Sequence, residues 1–197
     1  MDKITTLPDN SISDKGLISR EFLKLNIHTF LDAAGYVHKI PYGYNSDRDD
    51  LMILFKEKKG TCTTKHAVIG TLATELDLPI DKTIGIYAMT ETIVSGTEKI
   101  LHSYRLPFIP MLHCYLAYDG IRVDLTEGND NGKNGSIETF LHTEKVPPNI
   151  SGKNEYLLYR NVLKELLSTH QALKGVKLKT ILQARQEGLK LLRSKIK

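Results

Sequence analysis

The chain has 197 residues, of which 41% are hydrophobic and 25% charged, with a formal net charge of +4. That length allows one well-buried core with a helical appendage, and the balance is that of an ordinary globular protein rather than a disordered, fibrous or disulfide-stapled chain. No run approaches ~18 uninterrupted apolar residues, the first residues form no apolar leader, and two cysteines make no disulfide framework, so the expectation is a cytoplasmic chain with no membrane span.

Up to about Ser13 there is no periodic apolar signal, and loose order is expected. Residues 19–34 read as a helix with Phe22, Leu23, Leu25, Phe30 and Leu31 inward and Gly35 at its C′ position. Residues 50–56 carry the run Leu51 to Phe55, too short for periodicity to choose a state. A polar loop containing Gly60 leads into a helix over 61–76, with Ala67, Val68, Leu72, Ala73 and Leu76 as its buried stripe and Pro79 as its stop. Residues 84–87 read as a strand. Residues 90–96 and 100–106 read as a hairpin or a flexible loop, a candidate wall for a cleft, and Pro107 and Pro110 bracket Phe108-Ile109 ahead of a β-rich run. Gly, Asn and Asp make 127–135 a loop. The stretch 146–152, with Pro147-Pro148, divides a 1–150 core from a 151–197 helical extension packed on it, in which 155–173 and 177–196 read as helices.

Charge is uneven. From 171 to 197 eight Lys/Arg oppose one Glu, so this segment carries +7 and the rest of the chain −3. Clustered basic residues are a footprint for an acidic partner, nucleic acid or an anionic membrane surface. They are equally the solvated face of a docked helix, and with no nucleic-acid motif or aromatic stacking run beside them that plainer reading prevails, an acidic partner being the contact a basic helix would take.

Reactive chemistry concentrates at Cys62, in Lys58-Lys59-Gly60-Thr61-Cys62-Thr63-Thr64-Lys65-His66, where a polar loop becomes a helix. First-turn N–H groups lack intrahelical partners and the macrodipole places positive charge there, so a thiolate is stabilised and its pKa falls. A lone cysteine is more often packing, but this one has a base and a carboxylate downstream. His113 and Asp124 lie in two β-rich runs joined by Asp119-Gly120, a strong hairpin signal. With those two as the turn, Tyr118 faces Ile121, Tyr115 faces Asp124 and His113 faces Thr126, so His113 and Asp124 share a face as diagonal neighbours. A three-residue turn would send Asp124 to the other face. Cys114, on the face opposite His113, reads as an apolar filler. His66 follows Cys62 at i+4, a spacing usable for metal, but without a CxxC or HExxH signature no metal is expected, and Lys65 and His66 read as helix-surface or cleft-rim residues.

Gly60-Thr61-Cys62 opening a helix that ends Glu75-Leu76-Asp77-Leu78-Pro79, then His113-Cys114-Tyr115 and Val123-Asp124-Leu125-Thr126, resembles the transglutaminase-like superfamily, with its papain-like Cys-His-Asp core. The resemblance spans roughly residues 41–126. Tyr115 stands where relatives often carry Trp, and the His-to-Asp connection is shorter than in many of them. The resemblance implies an α+β fold in which the nucleophile helix packs on an antiparallel sheet, with additional N- and C-terminal helices, and a helix over 50–56 delivering the chain to the Cys loop. It implies catalysis by Cys62, His113 and Asp124, with an upstream side chain joining the Cys62 N–H around the oxyanion. Tyr42, Tyr44 and Asn45 are the candidates by position and donor chemistry, Tyr42 first.

The expected function is cysteine-dependent acyl transfer without a cofactor, by hydrolysis of a peptide or amide substrate or by transfer to an amine; hydrolysis is favoured because the resemblance covers only the compact core. The alternative is a catalytically silent scaffold of the same fold that binds a peptide, protein or nucleic acid.

Overall fold

Main-chain pairing, not periodicity, orders the start of the chain. The computed structural model describes residues 3–196; Met1, Asp2 and Lys197, the last of the eight basic residues counted above, lie outside them. A 3-10 helix, Lys3–Thr6, and the segment after it bury Ile4, Leu7 and Ile12. The Ile12 N–H donates to the His28 carbonyl at 2.7 Å and the Phe30 N–H to the Asn10 carbonyl at 2.8 Å. The loose order expected up to Ser13 is therefore corrected for the described residues.

The single helix expected over 19–34 is two helices, α1 (Leu17–Lys24) and α2 (Phe30–Lys39). Asn26 takes a left-handed conformation at φ 57° and ends the first. Thr29 starts the second, its hydroxyl oxygen accepting from the Asp32 N–H at 3.1 Å. Gly35 consequently sits inside α2. A short helix α3 (Ile53–Glu57), closed by left-handed Lys58, leads to α4 (Cys62–Glu75), capped at Thr61. Helices α1, α2 and α3 all pack on α4. Every residue of α4 from Cys62 to Gly70 is buried, so its first half has no solvent face and the expected one-sided stripe holds only toward its end. The Glu75 carboxylate at that end accepts from the Ile18 and Ser19 N–H groups at 3.0 and 2.6 Å, joining the C-terminus of α4 to the N-terminus of α1. Gly16 permits this approach: a Cβ there would lie 2.2 Å from the Glu75 carboxyl carbon.

The chain is mixed α+β. Strand β1 (Asp81–Met89) is followed by α5 (Thr97–Tyr104), β2 (Ile109–Tyr118), β3 (Ile121–Val123) and β4 (His142–Lys145), and the four strands form an antiparallel sheet in the order β3-β2-β1-β4. The hairpin register is the expected one from Tyr118 opposite Ile121 to Leu116 opposite Val123, where β3 ends; the expected pairs Tyr115–Asp124 and His113–Thr126 lie beyond this ladder. Asp119 and Gly120 have φ of 46° and 72°, the doubly left-handed turn that a two-residue loop needs. Helix α5 replaces the hairpin or flexible loop expected over 90–106, and β4 carries no strong alternation that would have announced it. Helices α6 (Gly152–Thr169) and α7 (Leu178–Ser194) complete the chain.

Two compact units divide these elements. The first holds Met1–Ile84, Cys114–Asn129 and Glu144–Ser151, the second Gly85–His113, Asp130–Thr143 and Gly152–Lys197. The core of the first unit gathers Ile18, Phe22, Phe30, Ala33, Val37, Leu54, Val68, Ile69 and Leu72 from the four helices with Leu116, Val123 and Leu125. In the second, α7 packs on α5 and α6, and Gly188 lets it settle on the strands, since a Cβ there would meet the Met89 side chain at 2.8 Å. The Tyr159 hydroxyl, on α6, donates to the Pro110 carbonyl at 2.8 Å. Burial pushes its pKa upward, which keeps that donor protonated.

Candidate active site

Cys62 is the first residue of α4 and 7% exposed. Its approach is built tightly. The Gly60 N–H donates to the Pro41 carbonyl at 3.1 Å and the Gly43 N–H to the Gly60 carbonyl at 3.2 Å, so Tyr42 pairs with Gly60, two residues ahead of the thiol. A Cβ at Gly60 would lie 2.4 Å from Leu54 Cδ1, which leaves no room for a side chain where the loop enters the helix. The Thr64 hydroxyl accepts from the Thr61 N–H at 3.1 Å and donates to Asn45 Oδ1 at 2.9 Å. Asn45 Nδ2 in turn donates to Glu57 Oε2 at 3.0 Å and to the Lys59 carbonyl at 2.9 Å. Hydrogen bonds from Ser46 and Asn45 hold the Glu57 carboxyl below the usual carboxylate range. The segment 41–46 is thus tied to the loop that delivers Cys62, with Tyr42 and Tyr44 half-buried in it.

The polar residues that follow Cys62 are inside the protein, and each is satisfied there. Thr63 Oγ1 lies 3.8 Å from Cys114 Sγ, and neither cysteine is in a disulfide. The Lys65 ammonium donates to the His38 carbonyl at 3.0 Å, to Asn129 Oδ1 at 2.9 Å and to the Ile40 carbonyl, which uses its three hydrogens on the last turn of α2 and the loop after β3. Burial lowers its pKa to about 8, against the opposing pull of the Asp124 charge. Lys82 reaches the Thr63 carbonyl at 3.1 Å and the Pro148 carbonyl at 2.8 Å.

His66 is fully buried. Its Nδ1 lies 2.6 Å from the Cys62 carbonyl oxygen, and its Nε2 accepts the Leu125 N–H at 2.9 Å. A carbonyl can only accept and an amide N–H only donate, so the ring is the neutral tautomer with its proton on Nδ1. The placement of Lys65 and His66 on the helix surface or cleft rim is corrected: both are interior, and with both ring nitrogens on backbone groups His66 offers no ligand for a metal shared with Cys62. The run Thr63-Thr64-Lys65-His66 is polar throughout, which hides a burial that depends on partners distant in the chain.

Asp124 stands just past β3. Its Oδ1 accepts from the Thr126 N–H at 2.9 Å and hydroxyl at 2.7 Å, which fixes the carboxylate over its own turn, and lies 3.6 Å from His66 Nε2. Leu125 is held at both amide ends, since His38 Nδ1 donates to its carbonyl at 3.2 Å. The first unit therefore contains Cys62, Asp124, Tyr42, Tyr44 and Asn45, with His66 linking the nucleophile's backbone to the residue after the acid. His113 belongs to the second unit, buried on β2 with its ring edge-on to Tyr87 at 6.5 Å. Sequence reasoning missed His38, Lys65, His66, Lys82 and Asn129 as parts of this network; the i,i+4 spacing of Cys62 and His66 was its one visible trace. Among the described residues, no helix is long and apolar enough to cross a membrane. No protein-family model, curated protein or solved structure matches the chain.

Proposed function

We propose that the chain is a cysteine-dependent acyl-transfer enzyme with a transglutaminase-like core, hydrolysing a peptide or amide bond through Cys62, His113 and Asp124. The observation that carries this reading is the tie from the Cys62 carbonyl through His66 to the Leu125 amide, which sets the helix-start thiol and the carboxylate in one fixed framework. The two-residue hairpin turn supports it too, because a three-residue turn would send Asp124 to the face away from His113; the paired register itself runs from Tyr118–Ile121 to Leu116–Val123, and Asp124 stands one residue beyond it.

The Cys62 thiolate adds to the carbonyl carbon, forming a C–S bond while the carbonyl electron pair moves to oxygen. The Cys62 N–H and the Tyr42 hydroxyl are assigned to that oxyanion; Asn45 is the weaker candidate, as its amide hydrogens already serve Glu57 and Lys59. Collapse breaks the C–N bond, and His113 gives its proton to the departing amine. His113 then takes a proton from water as its oxygen attacks the thioester, releasing the acid and regenerating the thiol; an amine in place of water would give transamidation. Asp124, with Oδ1 held by Thr126, orients the imidazole through its other oxygen.

A panel of peptides and simple amides, incubated with the native chain and with Cys62→Ser, tests the reading. Turnover by the native chain and none by a folded Cys62→Ser is expected. Equal turnover by both contradicts it, and no turnover by either contradicts it and returns the silent scaffold.

A further inference from the structure

Outside the three assigned residues, one buried imidazole bridges the backbone at Cys62 and the backbone next to Asp124. His66 lies a helical turn beyond Cys62, receives no solvent, and uses both nitrogens on backbone groups at opposite ends of the assigned machinery. A histidine held this way has both ring nitrogens committed to backbone groups, which suits it to holding rather than to proton transfer. Leu125 would continue the β3 ladder if its N–H had a strand partner; instead that N–H is drawn to the imidazole, β3 ends at Val123, and the chain turns so that Asp124 closes on Thr126. His38 takes the other end of the same peptide residue.

We propose that His66 is a positioning residue: it couples the start of α4 to the turn at Asp124 and thereby sets where the orienting carboxylate stands relative to Cys62. This rests on the acyl-transfer reading above. The role needs the ring in its Nδ1–H tautomer, because a hydrogen on Nε2 would expel the Leu125 N–H and face Asp124 Oδ1, 3.6 Å away. Lys65, on the adjacent helix position, steadies the other side of that turn through Asn129 and the end of α2.

The test is a double-substitution cycle read by the rate of iodoacetamide alkylation at Cys62 across pH, with Cys114 distinguished by mass spectrometry. His66→Asn keeps a donor near the Nδ1 position and lacks the reach to Leu125; His66→Gln offers an acceptor near the Nε2 position and gives up the Cys62 carbonyl. His66→Asn is expected to slow Cys62 alkylation at neutral pH about tenfold and to raise its apparent pKa, with His66→Gln restoring part of the rate. In an Asp124→Asn background His66→Asn is expected to change nothing further, because a residue acting through Asp124 has nothing left to position. An unaffected His66→Asn, or a loss that adds in full to that of Asp124→Asn, overturns the proposal alone. An Asp124→Asn profile identical to the native one removes Asp124 from the site and takes the proposal with it. Unfolding of both His66 variants makes His66 a residue of the fold itself and also overturns the positioning role.

Discussion

At the scale of single residues, the burial of charge behind the thiol has a measurable sign. Lys65 is fully buried, and its ammonium is satisfied by three oxygen acceptors. Replacing it with Met removes the ammonium donor from the Ile40 carbonyl and Asn129 Oδ1, while the His38 carbonyl keeps the Asn129 amide at 2.7 Å, and a loss of about 3 kcal/mol at neutral pH is expected from chemical denaturation. The pH dependence adds to that difference. The pKa of Lys65 is lowered to about 8 in the fold, below its ordinary value of 10.5, so between those values the unfolded chain binds more protons than the folded one. Stability contributed by Lys65 therefore rises with pH across that window. The difference in stability between the native chain and Lys65→Met should grow from pH 8 to 10; a difference that stays flat or shrinks would mean that Lys65 is not desolvated in the charged form.

At the scale of elements, two close approaches predict separable effects. Glu75 caps α1 from the end of α4, far along the helix from the thiol, so Glu75→Ala should destabilise by about 1 kcal/mol and leave Cys62 alkylation unchanged. Gly60→Ala forces a Cβ against Leu54 and the Thr64 hydroxyl at the mouth of α4, and should both destabilise and alter the alkylation rate. A Gly60→Ala chain that loses stability but keeps the native rate would separate the loop's packing from the placement of the thiol. Much of this level was legible in the sequence because its signals are local. The helix over 61–76 lies within one residue of α4 at each end, and Asp-Gly set the hairpin turn and register. Residues 19–34 failed because apolar periodicity continues through Asn26 and Thr29, where a left-handed residue and a side-chain cap break the helix. The segment 90–106 failed because α5 draws its stability from packing on α7, some ninety residues later in the chain. The same reason hid the network around Lys65 and His66, whose partners at Ile40, Leu125 and Asn129 are distant in sequence.

At the scale of the whole molecule, each compact unit is assembled from three separate stretches, so no single cut in the chain releases one intact. Ending the chain at Ser151 removes α6 and α7, and with them the partner of α5, the Tyr159 bond to Pro110 and the Gly188 contact with Met89. Such a truncation should lose cooperative unfolding and expose apolar surface to a reporter dye; native-like cooperative unfolding of 1–151 would show that α6 and α7 are dispensable to the second unit. The described basic residues of the tail, Lys174, Lys177, Lys179, Arg185, Lys190, Arg193 and Lys195, lie on or beside α7, the same helix that packs on α5 and α6. Of these, the Arg185 guanidinium stacks on the buried Tyr159 ring at 4.6 Å, so part of the cluster is tied into the packing of α7 on α6.

The central claim is that Cys62 is an activated nucleophile whose base is His113, and the pH dependence of Cys62 alkylation in the native chain and in His113→Ala tests it most directly. A helix N-terminus alone lowers a thiol pKa regardless of His113, whereas a thiolate–imidazolium pair does so only while the imidazole is present. The native chain is predicted to label at Cys62 with an apparent pKa well below ~8.5, and His113→Ala to return it most of the way to that ordinary value. A native thiol titrating at its ordinary value, or a lowered value that His113→Ala leaves untouched, would contradict the account.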